Sequence, residues 1–387
     1  MDFDLSEEQV ILGDSVRRFI AEEFPFDRRL KVAGSEPGFP AEHWARFAEL
    51  GWLAASIPER YGGLGGSPVE VMLIMERFGR GLYASPYIAT VVLGANLVLF
   101  AGSEEQKRAL LPAVASGRLK LAFAFAEPDS RFELAAVETR ARRDGAGFVI
   151  EGSKAVVFYG VAADKVIVLA RTSAGVRDAN GLSLFLCESG SPGLLCRHYA
   201  TQDGGRASEI RFDRVRVPAD ALLGPMDGAL PIAERVLDHG IAALCAEASG
   251  AMWAAYEATL AYAKTRKQFG QALGSFQALQ HRLVDMYMRS ELAQSMVYEA
   301  TAGLGSPDPV TRAMRASAAK VQIGRAGRLQ GQEAVQLHGG VGMTMELPVG
   351  HYFMRLAMIE STFGDTSHHL GRYAQLSRRA DREGGCA

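Results

Sequence analysis

No stretch of this 387-residue chain approaches the roughly 18 uninterrupted apolar residues that a membrane-crossing helix needs, so no membrane span is expected. Cysteine is scarce. The four present (Cys187, Cys196, Cys245 and Cys386) are scattered and show no C-x-x-C spacing, which argues against a disulfide framework or a cysteine metal site. A reducing, cytoplasmic setting is the expectation. Eight histidines include the pair His368–His369, yet no H-E-x-x-H pattern occurs, so packing or surface histidines are expected rather than metal ligands. Charge of either sign is not in excess: 42 basic residues face 44 acidic ones, a formal net charge of -2. That balance leaves no bulk field for nucleic acid or an anionic membrane, although a local basic site for a phosphate remains open. The opening "MDFDLSEEQVILGDSVRRFI" has neither a basic leader nor a continuous apolar core, so a secretory signal is not expected. No G-x-G-x-x-G follows a strand pattern; "RYGGLGG" lies between helical stretches, which speaks against a Rossmann unit.

What is present falls into three textures, the pattern of an α+β protein. Residues 1–120 read as helical. Ser6 with Gln9, and Ser103 with Gln106, have the spacing of capping boxes, and apolar residues recur at helical intervals behind them. "PERYGGLGGSP" reads as loop. Residues 121–225 read as a small β domain of sandwich or barrel type. "DGAG" between "VETRARR" and "FVIEGSKAVVF" signals a hairpin, and "KVIVLART", "GLSLFLCE" and "SEIRFDRVRVP" continue as short strands. Residues 226–387 return to the helical period. The stretches 228–265, 275–303 and 308–337 are long enough to cross a bundle, and short breaks make successive helices antiparallel neighbours.

Several blocks in these positions resemble the acyl-CoA dehydrogenase family over essentially the whole chain. "AFAFAEPDS" is similar to the family's segment ending in T-E-P, and "GFVIEGSKAVVFYG" to its hairpin strand. "YAKTRKQFGQALGSFQALQHRLVDM" resembles the R-x-x-F-G…F-Q signature, and "QEAVQLHGGVGMTMELPVG" the Q-x-x-G-G-x-G signature. Within the family the likeness is to the small subunits of pimeloyl-CoA dehydrogenases and to steroid side-chain dehydrogenase subunits, which often work as unlike pairs. The resemblance implies an N-terminal helical domain, a middle β-sandwich or barrel and a C-terminal four-helix bundle. It also implies extended FAD shared with a neighbouring subunit, an acyl-CoA substrate desaturated across Cα–Cβ, and an electron-transferring flavoprotein as electron acceptor. The neighbour is either a homologous large subunit or a second copy. Two alternatives stay open: a non-catalytic subunit that completes a partner's FAD site, and a flavin-dependent oxidase or monooxygenase on the same fold.

Carried onto this chain, the resemblance places Arg266 on the FAD pyrophosphate, where a guanidinium forks onto phosphate oxygens. Phe269 is placed on the adenine side, Gln277 near the cofactor, and Gln336, Gly339 and Gly340 at the glycine turn against which FAD lies. Main-chain groups of Phe125 and Ala126, with Phe158 and Thr366, are placed at the flavin. Here the chain departs from the pattern: Ala126 stands for the usual threonine, and Val156 and Phe158 for the usual tryptophan and threonine. Arg131 is a candidate for the distal carboxylate of a dicarboxylyl substrate, with a solvated turn arginine as the rival reading. Glu127 reads as structural.

The acid that takes the α-proton is the open point. The two positions at which the family places it align with Gly364 and Gly240, neither of which has a side chain. Asp365, in "FGDT", is one residue late and one methylene shorter. Glu247 is the single acid of "IAALCAEASGAMWAAY", flanked on its helix face by Ala243, Gly250, Ala251 and Ala254. An unpaired buried carboxylate costs several kcal/mol, so Glu247 has a partner or a purpose. One reading makes it the base beside a groove of small residues that admits a thioester. The other makes it half of a buried pair with an arginine such as Arg235 or Arg325, the small residues serving close helix packing.

Overall fold

The computed structural model describes residues 4–384, and Cys386 lies outside them. The N-terminal helices are α1 (Glu7–Glu23), α2 (Phe26–Ala33), α3 (Ala41–Glu49), α4 (Pro68–Gly81), α5 (Asn96–Ala101) and α6 (Glu104–Ala115). Both capping boxes form: Ser6 with Gln9 opens α1, and Ser103 with Gln106 opens α6. The β region holds β1 (Leu121–Ala124), β2 (Arg140–Asp144), β3 (Gly147–Phe158), β4 (Lys165–Arg171), β5 (Leu182–Glu188), β6 (Leu194–Ala200), β7 (Arg206–Val217) and β8 (Leu222–Leu223). Then follow α7 (Leu230–Thr265), the small hairpin β9 (Lys267–Gln268) and β10 (Gln271–Ala272), α8 (Gln277–Gly303), α9 (Pro309–His338), α10 (Pro348–Ser361) and α11 (Thr366–Gly384). The three long helices match the stretches read from the helical period.

The chain divides into two compact units. The first gathers the residues up to Lys31, Pro68–Tyr83 and those from Ile241 on. The second gathers Val32–Ser67 and Ala84–Gly240.

In the second unit the strands form one mixed sheet in the order β6-β7-β3-β2-β4-β5-β8, with β1 joining β4 in parallel. The hairpin falls where the "DGAG" signal puts it, with Asp144 opposite Gly147. Alternation along β3 and β7 sends Phe148, Ile150, Ile210 and Phe212 into one core with Phe185 of β5. Two bulges interrupt the β3–β7 register, the second between Lys154 and Val157.

In the first unit α8, α10 and α11 pack on α9. A second crossing brings α4 onto α7 at backbone distance. A Cβ added to Gly79 would lie 1.8 Å from the carbonyl oxygen of Glu247, and one added to Gly250 would lie 1.9 Å from that of Glu76. Each helix therefore presents a glycine where the other's main chain passes. Replacing Gly250 with alanine forces the two helices apart; the expected cost is about 3 kcal/mol or outright failure to fold, measured by denaturant titration against wild type.

Candidate functional site

The crossing of α4 and α7 decides how Glu247 is surrounded. Glu247 is buried, and Arg355 of α10 forks onto it: Nε donates to Oε1 at 2.7 Å and Nη2 to Oε2 at 2.6 Å. Such bidentate geometry is the strong form of a charged hydrogen bond. The small residues beside it hold no cleft for a thioester at Gly250, because α4 fills that space. The expectation of a base beside an open groove is thus corrected in favour of the buried pair. Its arginine is also different from the two expected: Arg235 lies over the Phe100 ring at 3.8 Å, Arg325 is exposed, and Arg355 is the partner.

One end of the bundle collects most of the residues assigned to the cofactor. Tyr262 stacks on His338 with ring centroids 4.4 Å apart, which sets the C-terminal ends of α7 and α9 side by side. Arg266 follows one turn after Tyr262; Gln336, Gly339 and Gly340 flank His338. The β9–β10 hairpin turns at Phe269 and Gly270, both with positive φ, and leads into α8 at Gln277. Arg266, Gln277 and Gln336 are exposed. Gly339 has φ 68° and ψ -148°, a conformation open to glycine, and nothing lies within 4 Å of a Cβ built on it or on Gly340. An exposed guanidinium, two carboxamides and an uncovered glycine turn are a donor set that suits a phosphate-bearing dinucleotide. Phe269 is 91% exposed, a bare aromatic of the kind that a partner or a ligand covers.

Asp365 and Thr366 lie elsewhere in the same unit. Thr366 faces Gly324 in the middle of α9, where an added Cβ would meet its Oγ1 at 2.7 Å. That is about 18 Å along the helix from Gln336. Asp365 is half-buried and accepts the His368 N–H at 2.7 Å, so its carboxylate caps α11. Gly364 has φ 111°, and a Cβ there would stand 2.6 Å from both His368 Cδ2 and His369 Nε2. Position 364 is therefore sealed as well as empty. His369 Nε2 pairs with the Phe363 carbonyl at 2.9 Å and Nδ1 with Ser317 Oγ at 3.2 Å. Burial, then the charge of Lys320, brings His369 down to about 3.

In the second unit, the segment after β1 is fixed by a buried ion pair. Lys154 Nζ donates to Glu127 Oε1 at 2.8 Å and to the Phe125 carbonyl at 3.0 Å. Glu127 also accepts the N–H groups of Glu138 and Thr139. Burial alone would raise the Glu127 carboxyl, but the Lys154 charge and these donors outweigh it and hold it below the ordinary range. Burial brings Lys154 down to about 8. The Ala155 N–H reaches the Ala126 carbonyl at 2.8 Å. Just beyond, Val156 takes φ 52°, an uncommon conformation for a β-branched residue and of a kind that clusters at functional sites. Phe125, Ala126 and Phe158 are half-buried, and Arg131 stands exposed on its turn with φ 48°.

Sequence reasoning missed Arg355, Lys154 and Lys320. The two lysines had a signal: Lys154 falls on the inward alternation of β3 and Lys320 on the buried face of α9.

Comparison with known proteins covers nearly the whole chain. Residues 6–118, 122–215 and 228–375 match in turn the family models described as acyl-CoA dehydrogenase N-terminal domain, middle domain and C-terminal domain. The Bacillus subtilis protein named "Probable acyl-CoA dehydrogenase YngJ" is 34% identical over 355 residues, 90% of this chain and 92% of that one. The solved structure of butyryl-CoA dehydrogenase from Megasphaera elsdenii is 28% identical and superposes with a TM-score of 0.88 over 97% of this chain and 99% of that one. The ChsE4-ChsE5 complex from Mycobacterium tuberculosis contains a chain 26% identical, with a TM-score of 0.87 over 97% and 98%.

Two outcomes follow from the geometry. Glu247→Gln removes the carboxylate from the Arg355 fork and is expected to cost about 3 kcal/mol in thermal or denaturant unfolding, while Glu247→Gln with Arg355→Met regains most of it. The unfolded chain protonates His369 near 6.5, whereas the folded chain resists to about 3. The stabilisation from this residue is complete above pH 6.5 and is lost as pH falls from there toward 3. His369→Gln should therefore lessen the stability lost between pH 7 and 5 by about 2 kcal/mol, read from melting curves at each pH.

Proposed function

The chain belongs to the acyl-CoA dehydrogenase family, and on that premise we propose that it carries out FAD-dependent α,β-dehydrogenation of an acyl-CoA thioester with Asp365 as the acid that takes the α-proton. The observation that carries this is the pairing of Glu247 with Arg355, which leaves Asp365 as the acid on the segment where the family resemblance places its base. Bound FAD supplies the acceptor for the β-hydride. Arg266, Gln277, Gln336 and the Gly339–Gly340 turn hold its phosphate and ribose portions. Main-chain groups of Phe125 and Ala126, whose carbonyls are tied by Lys154 and Ala155, would hold the flavin together with Phe158, and Thr366 is carried over from the family resemblance alone. Asp365 needs to reach the α-carbon directly, because proton abstraction requires contact.

The substrate is proposed as a dicarboxylyl-CoA of pimeloyl type or a steroid side-chain thioester, with Arg131 available for a distal carboxylate. Electrons pass to an electron-transferring flavoprotein in a cytoplasmic setting. The working form is an oligomer with a homologous chain or a second copy. The exposed Phe269 supports this, as does the naming of one structural relative as a complex of ChsE4 with ChsE5.

A second reading has its own observation. Gly364 is sealed by two imidazoles, and the Asp365 carboxylate is engaged as a helix cap. Both fit a subunit that completes its partner's FAD site without supplying the base. Purifying the chain alone and with an adjacently encoded homologue, then adding pimeloyl-CoA without oxygen, separates the readings. The expected result is a yellow protein whose flavin bleaches, with Asp365→Asn keeping flavin and losing at least about a hundredfold in rate. Wild-type rates in Asp365→Asn assign the base to the partner.

A further inference from the structure

Lys320 lies in the middle of α9, 1% exposed, among Ala316, Ala319 and Ile323. A lysine so placed gives up the hydration of its ammonium, and the structure returns three hydrogen bonds. Nζ donates to the carbonyls of Ile359 at 2.7 Å, Glu360 at 2.8 Å and Gly364 at 2.8 Å. An ammonium has three donors, and all are used. Two of these carbonyls belong to the last turn of α10, where helix geometry leaves acceptors without partners and where a cation is favoured. The third belongs to the turn that leads into α11.

The same turn is held from other sides. His369 holds the Phe363 carbonyl, and Ser317 holds His369. Glu360 Oε1 accepts the Thr366 N–H at 3.0 Å, and Asp365 Oδ1 accepts that of His368. Each residue from Phe363 to Asp365, and Thr366 through its N–H, is thus tied to a named group. Phe363 takes positive φ, a costly conformation for a residue with a side chain, so the turn needs outside support, while Gly364 beside it adopts its positive φ freely.

We infer that Lys320 is a positioning residue: by gathering the carbonyls of Ile359, Glu360 and Gly364 it fixes the Phe363–Thr366 turn and so sets the direction of the Asp365 carboxylate. This deepens the proposed dehydrogenation, on which its catalytic consequence rests. Helix packing alone does not require a charge here; a methionine fills similar volume without losing hydration. The charge is needed only if the three carbonyls must converge.

Two measurements on the full chain, with its partner if one is required for turnover, test the inference. Hydrogen exchange of the amides from 362 to 369 is compared in wild type, Lys320→Met and Lys320→Arg. Lys320→Met is expected to exchange at least tenfold faster there, with the α8 amides unchanged and Lys320→Arg between the two. Turnover of pimeloyl-CoA by Lys320→Met is expected to fall at least tenfold in kcat with KM within threefold, flavin content being equal. Wild-type exchange in Lys320→Met overturns the inference, and so does faster exchange with unchanged kcat. If Lys320→Met does not fold, Ser317→Ala, which frees His369 from one side, takes its place with the same expectations. A wild-type complex that shows no thioester-dependent bleaching refutes the dehydrogenation itself; the exchange result then decides alone whether Lys320 fixes the turn.

Discussion

Contact between two main chains, at Gly79 of α4 and Gly250 of α7, constrains much of what the first unit can do. Helices that meet at backbone distance leave no space between them for a ligand or for water. An acid on that stretch has to find its counter-charge inside the protein, and Arg355 is that counter-charge. The pair in turn ties α7 to α10, the helix whose last turn sits over Lys320. A packing decision made by two glycines thus reaches the turn that carries Asp365 through two successive charged contacts.

Much of this was legible beforehand, and for identifiable reasons. The long helices and both capping boxes are local: hydrophobic period and side-chain-to-backbone bonds lie within a few residues of one another. The β2–β3 hairpin is local in the same sense. The family blocks made the bundle end readable, because Arg266, Gln277 and Gly339 fall in short signatures, and the structure sets them at a single end through the stack of Tyr262 on His338.

What could not be read was partnership at a distance. Glu247 was legible as an acid needing a partner, but the choice among arginines depends on which helix crosses where. Arg355 lies 108 residues away in sequence. Periodicity tells which face of α7 is buried and not what lies against it. Lys320 and Lys154 show the same limit from the other side. Each occupies an inward position that a pattern reader counts as an error in the pattern, yet Lys154 holds a carbonyl and a carboxylate, and Lys320 three carbonyls, brought in by other segments. Charges in a core are intelligible only with the tertiary fold in hand.

The glycine at 364 sets how many changes a new side chain there would demand. With φ 111° and two imidazoles 2.6 Å from where a Cβ would stand, an acid at this position needs both His368 and His369 to yield as well. Moving an acid one residue along the turn is a single exchange; placing one on this residue is three.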